Sequence, residues 1–104
     1  MDKKILDEVH EVRARAGRNL AYLREKKLGC SQRELARFLG TGQGHASEFE
    51  SGARLSLNYL VFFSQFYDVP LSSLIGCDFR EDEKNSINLK DNYYPKIISI
   101  ERLI

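Results

Sequence analysis

Between Cys30 and Arg54 the chain sets out two amides (Gln32 and Gln43), a hydroxyl (Ser47), a carboxylate (Glu48) and a guanidinium (Arg54). These groups are not arranged for covalent chemistry. No nucleophile sits beside a base, no carboxylates are paired and no glycine loop is shaped to cradle phosphate, so an enzyme is not expected. His45 has neither a carboxylate nor a second histidine at triad or ligand spacing. Cys30 and Cys77 stand far apart, with no Cys or His nearby at ligand spacing, so neither a metal nor another cofactor is expected. Two small thiols in a reducing compartment are the simpler reading. What the set can do is donate and accept hydrogen bonds. Gln43, Gly44, Ser47 and Glu48 fall on one side of a helical pattern whose other side carries Ala46 and Phe49.

The elements that must hold this face are written around it. Ser31-Gln32-Arg33-Glu34 reads as a capping box, in which the Ser31 hydroxyl caps a helix while Glu34 reaches back to the Ser31 amide. Leu35, Ala36 and Leu39 give that helix its apolar face, and Gly40 permits the left-handed backbone that ends it. Thr41-Gly42 offers the cap for a second helix, which stops at Gly52. Two helices joined by a tight, glycine-bearing turn read as a helix-turn-helix.

Upstream, Ile5, Val9, Val12, Ala16, Leu20 and Leu23 recur at steps of three and four, predicting an amphipathic helix from Lys3 to Lys27 with Gly17 as a weak point inside it. Downstream, Ser56 caps a pattern of Leu57, Leu60, Val61, Phe63, Ser64 and Tyr67 mixed with Phe62 and Phe66, which predicts a helix buried on more than one side. Val69-Pro70 breaks it, and Leu71 to Ile75 forms a short closing helix. The fold class is all-α, with five helices.

Beyond Gly76 the character changes. Asp78 to Asn92 is polar, with little periodicity, and reads as a linker or exposed loop. Tyr93-Tyr94-Pro95 then leads into an aliphatic segment, Ile97 to Ile104. Its β-branched content favours a strand, although Ile97, Ile100 and Ile104 also share a helix face. A lone strand could pair with the same strand of a second molecule or fold back on its own domain.

A chain of 104 residues supplies one modest core. With 42% hydrophobic and 30% charged residues it reads as an ordinary soluble globular protein. It contains no apolar run long enough for a membrane span, and its amino terminus lacks the apolar core of a secretory signal, so a cytoplasmic location is expected. The net charge is +1, but residues 1–67 carry eleven Lys or Arg against eight Asp or Glu, and residues 68–104 carry five against seven. The amino-terminal part is the better contact for an anionic partner.

Leu20, Leu23-Arg24, Ser31-Gln32, Leu35-Ala36, Leu39-Gly40, Glu50-Ser51-Gly52, Arg54, Leu57, Leu60, Val69, Leu71, Leu74 and Ile75 together make the chain resemble the Cro and phage-repressor type of DNA-binding domain, the XRE-like helix-turn-helix family. The resemblance covers residues 17–76. It implies a five-helix, lambda-repressor-like domain over 1–76, with residues 3–16 as a helical extension and 77–104 as a linker and aliphatic tail, a candidate dimerisation element. It also implies double-stranded DNA as partner, with the second motif helix in the major groove. Gln43 then falls where the family reads bases, and its amide suits the N6 and N7 of adenine. Ser47 and Glu48 follow on the same face. Gln32 would bond a phosphate and brace Gln43, Arg54 would meet a phosphate, and Arg24 with Glu50 would form a structural ion pair. His45, Arg33 and Arg37 read as helix-surface residues.

Against the family pattern, Gly44 stands where a contacting side chain is usual, and the recognition helix has no Lys or Arg. The Ala53-Arg54-Leu55-Ser56 linker is about one residue short, and Lys27-Leu28-Gly29 about one long. The function implied is a homodimeric transcriptional repressor on a short inverted repeat. The alternative is a protein-interaction module of the same fold, such as an antitoxin bound to a toxin.

Overall fold

The computed structural model describes residues 2–85, and among them the chain is all-helical. Helix α1 (Lys3–Leu23) begins at Asp2, whose carboxylate accepts from the Lys4 amide at 2.7 Å, and residues 3–16 continue directly into the rest of the helix. It ends in a single π turn, Arg24–Leu28, closed by Gly29 at φ 61°. A π turn holds one more residue than an α turn. This is where the surplus residue of the Lys27-Leu28-Gly29 segment is taken up.

The next two helices are α2 (Gln32–Leu39) and α3 (Gln43–Ser51). The capping box of α2 forms as written, with the Ser31 hydroxyl accepting from the Glu34 amide and the Ser31 amide donating to Glu34, both at 3.1 Å. These bonds also hold the Glu34 carboxyl below the ordinary carboxylate range. Gly40 closes α2 in the left-handed region.

Gly17 is not a weak point. A Cβ there would lie 2.5 Å from the Glu50 carbonyl oxygen and 2.8 Å from the Gly52 amide, and a Cβ on Gly52 would lie 2.6 Å from the Arg13 carbonyl oxygen. The backbones of α1 and the end of α3 touch at this crossing, and only two residues without side chains allow it. Whatever Gly17 costs in helix propensity is offset by the contact.

Helix α4 (Leu57–Tyr67) is followed by α5 (Leu71–Gly76). Phe63, Phe66 and Tyr67 are buried, but Leu57, Tyr59, Val61 and Phe62 are exposed. The expectation of burial on several sides is therefore met on one side only. Ser56 occupies the N-cap position of α4 without a capping side-chain bond.

The described fold has six α-helices where periodicity predicts five, because the expected linker contains α6 (Phe79–Lys84). Asp78 caps it, accepting from the Glu81 amide at 3.2 Å, and Phe79 is fully buried against Tyr22. Asn19, itself buried, ties the piece down. Its Nδ2 donates to the carbonyls of Leu74 and Cys77, both at 2.8 Å, while its Oδ1 accepts from the Phe79 amide at 3.0 Å. The proposed strand or helix at 97–104 lies outside the described residues. No described helix is long and apolar enough to cross a membrane.

Under the motif, Lys27 donates to the carbonyl of Tyr67 at 2.6 Å, and burial pulls its ammonium down to about 8. The Tyr67 hydroxyl is buried without a hydrogen-bond partner among the described residues, and burial pushes its pKa far up. An unpaired buried hydroxyl costs on the order of 1–3 kcal/mol. Tyr67→Phe keeps the ring and removes that group, so it should raise stability by about 1 kcal/mol. Urea unfolding of the two proteins checks this, and a loss of stability would mean that the hydroxyl is satisfied.

Candidate nucleic-acid interface

Two of the nine residues of α3, Ala46 and Phe49, are buried, and they set its rotation. Gln43, Gly44 and Ser47 are consequently exposed, and Glu48 half so. The side chains of Gln43 and Ser47 make no hydrogen bond among the described residues, so both are free for another molecule. Gly42 is the backbone N-cap and offers no side chain, and an added Cβ at Gly42 or Gly44 would meet nothing within 4 Å. The first turn of the helix is thus open to close approach. Thr41 does not cap it; its Oγ1 lies 2.6 Å from Nδ1 of exposed His45.

The angle at which α3 is presented is set by an ion pair with two helpers. Arg24 donates twice to Glu50, from Nε at 2.8 Å and from Nη2 at 3.1 Å, and its Nη1 donates to the Cys30 carbonyl at 2.6 Å. Gln32 completes the set, its Nε2 donating to Glu50 at 3.0 Å. The Arg24 and Glu50 side chains retain 11% and 5% exposure, so this is a largely desolvated pair. The bond to Glu50 raises the Arg24 pKa despite its burial. Burial likewise pushes the nearby Cys30 thiol up. End of α1, start of α2 and end of α3 are locked together at one point. The expected pair of Arg24 and Glu50 is present, whereas the amide of Gln32 serves Glu50 and not Gln43.

Arg54 is not a free cation either. Its Nε is bonded to the Glu48 carboxylate, both side chains being nearly half exposed. In the sequence these two residues read as separate contacts; only the turn after Gly52 brings them together. Arg33 and Arg37 on α2 are exposed, with no ion pair among the described residues.

A model of the helix-turn-helix family matches residues 20–74. No curated protein and no solved structure matches the chain. The matched stretch is more than half the chain and runs from the last turn of α1 into α5, spanning the Arg24, Gln32 and Glu50 clamp and the exposed face of α3. This chain therefore belongs to the Cro and phage-repressor type, XRE-like helix-turn-helix family of DNA-binding regulators.

Proposed function

We propose that this regulator is a cytoplasmic repressor that reads a short inverted repeat as a homodimer, with α3 lying in the major groove of each half-site. The observation that carries the reading is the outer face of α3. Gln43 and Ser47 are exposed and uncommitted on a helix whose rotation and tilt are locked by buried groups. Gln43 reads a base, Ser47 reaches the next base or a bridging water one turn along, and Gly44 lets the backbone come close. Arg54 and Gln32 meet phosphates. Two α3 helices about 34 Å apart, one DNA turn, require two copies, and the aliphatic segment 97–104 contributes to that assembly.

Glu48 restrains this interface. A carboxylate repels phosphate and holds Arg54, so free protein binds DNA weakly and with little salt dependence until Arg54 changes partner. Selection of bound sequences from random duplex DNA, followed by titration of the winner at several salt concentrations, tests the reading. Gln43→Ala should cost about 1–3 kcal/mol on the selected site and relax preference at one position per half-site. Arg54→Ala should weaken all sequences alike and flatten the salt slope by about 1. Affinity and preference unchanged by Gln43→Ala would remove α3 from the groove.

A further inference from the structure

The amino-terminal half of α1 carries an apolar seam that the domain leaves largely uncovered. Ile5 is 53% exposed and Leu6 40%, with Val9 and Val12 only partly covered. Ile5, Val9 and Val12 form one wall of an open groove of about 420 Å³, and Leu57 and Leu60 of α4 form the other. Leu57 is 68% exposed. Aliphatic side chains left exposed along both walls of one groove are available for packing by another apolar helix face.

The spacing along α1 says what fits. Ile5, Val9, Val12 and Ala16 follow at steps of 4, 3 and 4, the alternation of a coiled-coil seam. Of these only Ala16 is fully buried in its own domain. Glu8 and Arg13 flank the seam on opposite sides and both line the groove. Neither side chain has an ion pair or hydrogen bond among the described residues. Five residues apart and opposite in charge, they stand at the two positions that pair between helices of a parallel two-stranded coil. An antiparallel pairing would instead set Glu8 against Arg15, whose guanidinium is turned inward to the Ile75 carbonyl at 2.9 Å.

The geometry points to a second copy of this chain as the occupant, its α1 lying parallel in the groove with Glu8 of each copy against Arg13 of the other. The interface deepens the homodimer reading and rests on it. It places the two-fold axis along the amino-terminal half of α1, so that residues 3–16 form a dimerisation element within the domain, beside any contribution from 97–104. It also accounts for α4: Leu57 and Leu60 form the second wall against which the incoming helix packs.

Sedimentation velocity of the full chain, with helical content followed by circular dichroism, tests this by charge exchange. Both side chains are exposed, so Glu8→Arg or Arg13→Glu leaves the fold intact and sets two like-charged pairs across the interface. Each should weaken self-association at least about tenfold. An equimolar mixture of the two variants restores both pairs and should sediment as a heterodimer with wild-type strength, as should the double variant E8R/R13E with itself. Single variants that dimerise like wild type, or a mixture that stays monomeric, would overturn this interface while leaving the homodimer reading standing. So would dimerisation lost on removing residues 93–104 but untouched by the exchanges. A wild-type chain that is monomeric and binds single half-sites would overturn both.

Discussion

Replacing Arg24 by Ala is expected to destabilise the domain by about 3–5 kcal/mol, because it strands the Glu50 carboxylate in a site that is nearly closed to water. Glu50 would keep only the Gln32 amide, at 3.0 Å, while the Cys30 carbonyl would lose its donor. The loss should be conditional on the carboxylate. Arg24→Met with Glu50→Leu removes both charges together and should recover most of the stability, since a desolvated ion pair is worth little against apolar groups of similar size. The double variant would still lack the directional bonds that set α2 against α3, so its DNA affinity should remain low after its stability returns. Urea unfolding read beside DNA titration separates the two effects. A stable Arg24→Ala protein would show that Glu50 is solvated and the clamp unimportant.

Phe49→Ala should cost a similar amount, about 3–5 kcal/mol, through lost burial and an unfilled space beneath α3. Phe49 is the inward anchor of α3. Its ring lies 4.7 Å from that of Tyr59 and 5.3 Å from that of Phe63, centroid to centroid, so its removal also loosens α4. For a domain of this size the melting temperature should fall by something on the order of 10–30 °C. Because α3 presents Gln43 and Ser47 through this one anchor and Ala46, binding should weaken even below the new melting temperature. A melting curve unchanged from wild type would place Phe49 outside the core.

The local parts of this molecule were legible in its sequence. The capping box at Ser31, the left-handed stop at Gly40 and the outward phase of Gln43, Gly44 and Ser47 against Ala46 and Phe49 involve residues less than about two helical turns apart. Hydrogen bonds and apolar periodicity over that distance are set by the backbone and the residue types themselves. The family motif added the pairing of Arg24 with Glu50, which no local rule supplies. Helix α6 had a local signal as well, Asp78 three residues before Glu81 with an aromatic between them, but too little periodicity to stand out from the polar run around it.

What only the tertiary structure decided are the meetings between distant residues. Gly17 reads as a flaw in a helix until α3 is laid across it. Asn19 reads as one more polar residue until the carbonyls of Leu74 and Cys77 and the amide of Phe79 close around it. Gln32 looks free to brace Gln43 until Glu50 arrives from the other end of α3, and Arg54 reads as a cation without a partner in the chain until the turn after Gly52 sets it against Glu48. Each of these outcomes depends on which surfaces pack together once the apolar faces are buried. A side chain's hydrogen-bond partner is then chosen by proximity in space, which residue type and spacing along the chain do not encode.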